Sequence, residues 1–115
     1  MNAIYEYINV IDLAKYIVRY NQFKTGHELK TAVDMWCDDE MEALLLYGHI
    51  SYWDVSGITD MSNTFSGCTN FNMDISRWDT HDVIYMYRML IGCPNLITDV
   101  SLWDTSNVED VDNIF

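Results

Sequence analysis

Basic residues are scarce in this chain: six Lys and Arg stand against 18 Asp and Glu, for a formal net charge of −12. Such a charge repels phosphate backbones and anionic bilayers, so no nucleic-acid partner and no membrane docking are expected; its direct effect is solubility. Cysteine is sparse and odd in number (Cys37, Cys68, Cys93), which is not a disulfide framework. The one proline, Pro94, has no N–H to donate and suits a loop. No apolar run reaches the ~18 residues of a membrane span, so no membrane insertion is expected. Met1 to Tyr7 lacks the basic stretch and uninterrupted apolar run of a secretion signal. Catalytic phrases are missing as well: there is no G-x-S-x-G, P-loop or dinucleotide glycine fingerprint. His27, His49 and His81 lie far apart, and none makes a metal-ligand spacing with a cysteine. The expectation is therefore no enzyme, no catalytic residue, no metal and no cofactor. His49 reads as a hydrogen-bonded junction residue and His81 as an exposed turn residue.

What the chain does have is a period. Trp53, Trp78 and Trp103 stand 25 residues apart and open the phrases WDVS, WDTH and WDTS. A fixed period of this length marks a repeat whose units bury their apolar faces only by stacking. The units run 50–74, 75–99 and a truncated 100–115. Apolar columns are Ile50/Ile75/Val100, the tryptophans, Ile58/Val83/Val108, Met61/Met86/Val111 and Phe65/Leu90/Phe115. Polar columns repeat too, among them Asp54/Asp79/Asp104 and Asp74/Asp99, and they read as turn residues whose carboxylates bond nearby backbone, calcium being the alternative. Cys68 and Cys93 share a column and are expected as small buried thiols rather than as a bridge. Within a unit, Ile-Ser-x-Trp reads as a short strand and Ile58 to Phe65 as one or two helical turns.

Residues 1–48 do not repeat. Ile4 to Phe23 carries a helical pattern that Gly26 would end, Asp39 to Tyr47 a second one with Asp38 as N-cap, and Leu29 to Trp36 is helix or strand. An open first coil needs an end cap, and this half is assigned that role.

Gly48 to Cys68, GHISYWDVSGITDMSNTFSGC, continued at Phe71 by FNMDISRWDT, resembles the BspA-like surface-protein repeat, and the likeness runs from Tyr47 to Phe115. The resemblance implies leucine-rich-like architecture and adhesion or protein–protein interaction, without catalytic residues. The expected fold class is α+β: a short right-handed leucine-rich-like solenoid of about two and a half coils with a helical N-terminal cap. With no secretion signal, the resemblance points to the cytoplasmic or virion-associated kind of protein.

The second copy departs from the first: Thr59-Asp60-Met61-Ser62-Asn63 becomes Ile84-Tyr85-Met86-Tyr87-Arg88, and Phe71-Asn72 becomes Leu96-Ile97. Outward positions turned apolar and aromatic pack on their own chain or meet a partner. The third copy stops without a closing loop, which would leave Trp103, Val108, Val111 and Phe115 uncovered. The expected interaction surface is thus Ile84, Tyr85, Tyr87, Arg88, Ile97, Trp103, Val108, Val111 and Phe115, with another protein or a second copy of the chain at the open end. The expected function is a non-enzymatic interaction or structural accessory protein, possession of a viral home included. The alternative is a soluble adaptor docking through its N-terminal helix.

Overall fold

Two short helices lead into a stack of coils built from turns. The computed structural model describes residues 22–109 and Ile114. Helix α1 spans Gly26–Asp38 and α2 spans Glu40–Tyr47. Thr25 starts α1: its hydroxyl accepts the Glu28 N–H at 3.1 Å, and the Glu28 carboxylate accepts the Lys24 N–H at 2.9 Å. This satisfies two donors at the helix entrance. Leu29, Ala32, Val33 and Trp36, at spacings of three and four, form the buried face. Asp39 is the corner between the helices. Its N–H donates to Met35 O at 2.7 Å, and its carboxylate accepts the Glu42 N–H at 3.2 Å. Gly48, with φ +79°, closes α2 in a conformation that favours glycine.

Several local expectations are corrected here. The 29–36 segment is helix, Gly26 opens α1 rather than ending a helix, and the cap of α2 is Asp39 rather than Asp38. Gly26 has a packing reason. A Cβ there would lie 2.3 Å from the Asp60 carbonyl oxygen, so only glycine lets α1 approach the first coil this closely. The helix expected over Ile4 to Phe23 lies, up to Asn21, outside the described residues; Gln22 and Phe23 are not helical.

The expected α+β leucine-rich-like solenoid is also corrected: among the described residues there is no strand. The Ile-Ser-x-Trp phrase turns instead of extending. Ile50–Tyr52 and Val100–Leu102 are 3-10 helices. The residue before each phrase explains why. His49 Nδ1, Asp74 Oδ1 and Asp99 Oδ1 accept the N–H of Ser51, Ser76 and Ser101 at 3.2, 2.9 and 3.0 Å. A side chain that bonds the backbone two residues on supplies a turn in competition with a strand ladder. Each tryptophan N–H then closes on the carbonyl three residues back, Trp78 on Ile75 at 3.1 Å for example.

The segment after the tryptophan is not helical either. It pairs with the next coil: Met61, Asn63 and Phe65 donate their N–H groups to Tyr85, Tyr87 and Met89 O at 2.8 to 3.0 Å. Leu90 donates likewise to Ile114 O at 2.9 Å. The pairing is parallel, yet among the described residues only Asp60 and Tyr85 form a bridge. Asn63 (φ 60°) and Arg88 (φ 55°) are left-handed, and each bends the chain before a strand can lengthen.

The coils nevertheless stack on the predicted columns. Ile50, Ile75, Ile58, Val83, Met61, Met86 and Phe65 are fully buried, and the three tryptophans nearly so. The rings of Trp53 and Trp78 lie parallel at 6.4 Å. Each indole N–H reaches a backbone carbonyl: Trp53 to Gly48 at 2.9 Å, Trp78 to Ile50 at 2.8 Å and Trp103 to Ile75 at 3.0 Å. The near face of Trp53 is covered by Phe23, Trp36 and Tyr47, with ring centroids 5.2, 5.9 and 5.6 Å away. Lys30 bridges α1 to the first coil, donating to Ser66 O and Asp34 at 2.8 Å each.

Trp78 therefore offers a direct test of the stack. Trp78→Ala should cost about 3–5 kcal/mol by opening a core cavity. Trp78→Phe keeps a ring and removes only the indole donor, since the Ile50 carbonyl still accepts the Trp53 N–H, and should cost less, about 0.5–1.5 kcal/mol for the lost bond. Urea denaturation of the two variants checks the order.

Candidate interaction surface

The replaced segment of the second coil forms an outer wall. Ile84 is stitched between its neighbours: its N–H donates to Thr59 O at 2.7 Å, and its carbonyl accepts the Glu109 N–H at 3.0 Å. Thr59, Ile84 and Glu109 thus line up across three coils. With Asp82 and Asn107 they border a surface groove of about 450 Å³ in which Ile84 is the apolar element. Asn107 holds the groove's edge, donating to His81 O at 2.8 Å.

Beside the groove stand two tyrosines. Tyr85 and Tyr87 are two residues apart in locally extended chain, which puts both side chains on one face. Their rings stack at 6.0 Å with planes 25° apart. Tyr85 is 38% exposed and Tyr87 half-buried, its N–H donating to Ser62 Oγ at 3.2 Å. Arg88 is exposed and takes the left-handed backbone that Asn63 holds one coil earlier. Asparagine tolerates that region; a long side chain with a Cβ pays a steric cost of about 1–2 kcal/mol.

The structure brings Ile84, Tyr85, Tyr87 and Arg88 together and separates the others. Ile97 is exposed but sits in the column of Asn72. Trp103 is 5% exposed rather than uncovered: its indole N–H is bonded to the Ile75 carbonyl, and Ile114, whose carbonyl accepts the Leu90 N–H, is buried as well. Val108 is half-buried. Val111 and Phe115 lie outside the described residues. Sequence reasoning missed Leu102, 68% exposed in the column of Tyr52 and Arg77, and the apolar outer residues Met41 and Leu45 of α2. The available signal was an α2 whose later half has no polar stripe.

A second concavity, about 470 Å³, lies between the end of α1 and the loop 67–73, with Cys37, Asp38, Cys68, Asn70 and Phe71 in its walls. The expected pair of thiols in the Cys68/Cys93 column is corrected there. Cys68 is bridged to Cys37, with Cα atoms 5.8 Å apart, and Cys93 alone is free. Helix α1 delivers Cys37 from outside the repeat, a contact that no column alignment reveals.

The aspartate columns act as turn caps. Asp54, Asp79 and Asp104 accept the N–H of Ser56, His81 and Ser106 at 3.0 Å each. Bonds from the Ser76 N–H and hydroxyl hold Asp74 below the usual carboxylate range, and the Ser101 hydroxyl and N–H do the same for Asp99. Asp104 is held low by the Ser106 hydroxyl and then by His81. Among the described residues no three His, Cys, Asp or Glu side chains gather as metal ligands. No helix among them is long and apolar enough to cross a membrane.

His81 is exposed in its turn, with Nδ1 3.0 Å from Asp104 and Nε2 4.0 Å from Asp82. The bond and charge of Asp104, then Asp82 and Asp79, raise its pKa above the ordinary value. A raised imidazole contributes stability that is complete below ~6.5 and disappears as pH rises through the folded value. Asp104, held low, contributes above ~3.9 and loses its share as pH falls through its own lowered value. An NMR titration should place the His81 midpoint above ~6.5, and Asp104→Asn should move it back down. Arg88→Asn should raise stability by about 1 kcal/mol by relieving the left-handed strain, measured as a higher denaturation midpoint.

Comparison with known proteins narrows the family without naming an activity. Neither a curated protein nor a solved structure matches the chain. The expected BspA-like assignment is corrected by the family model that does match, which is a different one; in this chain the aspartates of the repeated phrases cap turns and build no leucine-rich ladder. That model spans residues 33–115, from the middle of α1 through the coils, and the chain belongs to the family it describes, the Mycoplasma protein of unknown function DUF285.

Proposed function

We propose that this protein is a non-enzymatic interaction or structural accessory protein, and that the outer wall of its second coil docks another protein. The observation that carries the reading is the stacked Tyr85–Tyr87 pair beside Ile84, on a face where the preceding coil has Asp60 and Ser62. Stacked tyrosines present a large, stiff, amphipathic area at low entropic cost, and Tyr and Arg are enriched where binding energy concentrates. Arg88 adds weight: a strained backbone on an exposed residue persists where the side chain has a use. The groove beside the pair offers an apolar floor at Ile84 between Asp82 and Glu109. A partner with an aliphatic side chain flanked by Lys or Arg fits that chemistry and the net charge of −12.

Affinity capture with the whole chain, followed by titration of the captured protein, tests the reading. Tyr85→Ala and Ile84→Ser should each weaken binding about tenfold or more, while Leu102→Ser, in another column, should not. Added salt should weaken the wild-type complex as the charged rim is screened. Equal binding by all four proteins overturns the proposal.

A further inference from the structure

Cys68 stands between two other cysteines of the fold. One is Cys37, at the exposed end of α1 and covalently joined to it. The other is Cys93, one repeat further on in the same column. The Cys93 thiol faces back onto the first coil, with Sγ 3.6 Å from Phe65 O and 3.8 Å from Cys68 O. The two coils are held in register there by the Phe65 N–H donating to Met89 O at 3.0 Å. Backbones paired in this way lie ~4.8 Å apart, inside the ~4.4–6.8 Å that a disulfide spans between Cα atoms. At that spacing, with Cys93 Sγ already at the Cys68 carbonyl, Cys93 is a second partner that Cys68 reaches by side-chain rotation without refolding of a coil.

We propose that Cys37, Cys68 and Cys93 form an internal thiol–disulfide exchange site. The Cys93 thiolate attacks Sγ of Cys68, a Cys68–Cys93 bond forms, and the Cys37–Cys68 bond breaks with its electron pair leaving on Cys37. The proton lost by Cys93 to water is regained by Cys37, so no oxidant or reductant takes part. Exchange moves the free thiol from a half-buried position to an exposed one in the wall of the 470 Å³ cleft. It also changes what the bond holds. One isomer clamps α1 to the first coil; the other clamps the first coil to the second and leaves α1 held by packing and by Lys30. Burial pushes the Cys93 thiol up, and Lys30 of α1 is the charge that opposes this. Because the thiolate is the attacking form, exchange is slow at neutral pH and faster in alkali.

Trypsin makes the two isomers easy to tell apart. Cleavage after Lys30, Arg77 and Arg88 leaves Cys37 and Cys68 on one peptide, 31–77, and Cys93 on another, 89–115. The full chain, purified without reductant, is held in mildly alkaline buffer with iodoacetamide and digested unreduced. Carbamidomethylation of Cys37 should rise together with a cross-link between the two peptides, at a rate independent of protein concentration. In Cys93→Ser the intrapeptide bridge should persist and Cys37 stay unlabelled. In Cys37→Ser, mild oxidation should produce the cross-linked pair directly. The proposal is overturned by label confined to Cys93 with the bridge intact, by Cys37 labelling that persists in Cys93→Ser, or by exchange whose rate follows protein concentration.

Discussion

A buried indole N–H must find an acceptor, and in this fold the coil spacing is what delivers one. Trp78 and Trp103 each donate to a carbonyl 28 residues earlier, in the coil beneath. The bond fixes the rotation of each coil relative to the last, while the flat rings of Trp53 and Trp78 set their separation. Trp53 has no earlier coil and turns to Gly48 instead, so the residue that ends α2 doubles as the acceptor for the first rung. Phe23, Trp36 and Tyr47 then cover that ring. A column of donors with fixed partners gives a short chain one register where apolar contact alone would allow several.

The turns make this stacking possible at low cost in unsatisfied polar groups. Each coil reverses through carboxylate- or imidazole-capped turns, and most of the acidic side chains in the repeat are consumed by that task. Surface charge and turn geometry are therefore one design. With inner positions committed to stacking and polar columns to turning, the positions free to vary are the outward ones between them. There the second coil exchanges small polar residues for Ile84, Tyr85, Tyr87 and Arg88 without disturbing the backbone bonds to Met61 and Asn63.

The core was legible because burial follows the period: the columns at Ile50, Trp53, Ile58, Met61 and Phe65 could be read off and are buried in the first two coils, with Trp103 buried in the third. The anomaly of the second copy was legible for the same reason, since a repeat supplies its own reference. Secondary structure was not. Ile-Ser-x-Trp has the apolar alternation of a strand, but Asp74 and Asp99 cap the following Ser N–H and turn the chain, into a 3-10 helix at Val100–Leu102. Apolar pattern reports which side chains face inward and is silent on whether the chain between them extends or bends. The bridge from Cys37 to Cys68 was hidden by the same habit of reading in columns, because Cys37 belongs to none.

By itself, then, the sequence determined the stacking unit, its period and the identity of its inward columns, because side-chain burial and hydrogen-bond supply are properties of residues at a spacing. The tertiary structure alone decided what lies beside each column's end. It seats α1 on Asp60 through Gly26, joins Cys37 to Cys68, and buries Trp103 where a truncated repeat suggested exposure. Those outcomes depend on how non-repeating segments approach the stack, and approach is set by packing between residues far apart in the chain, for which a one-dimensional period carries no information.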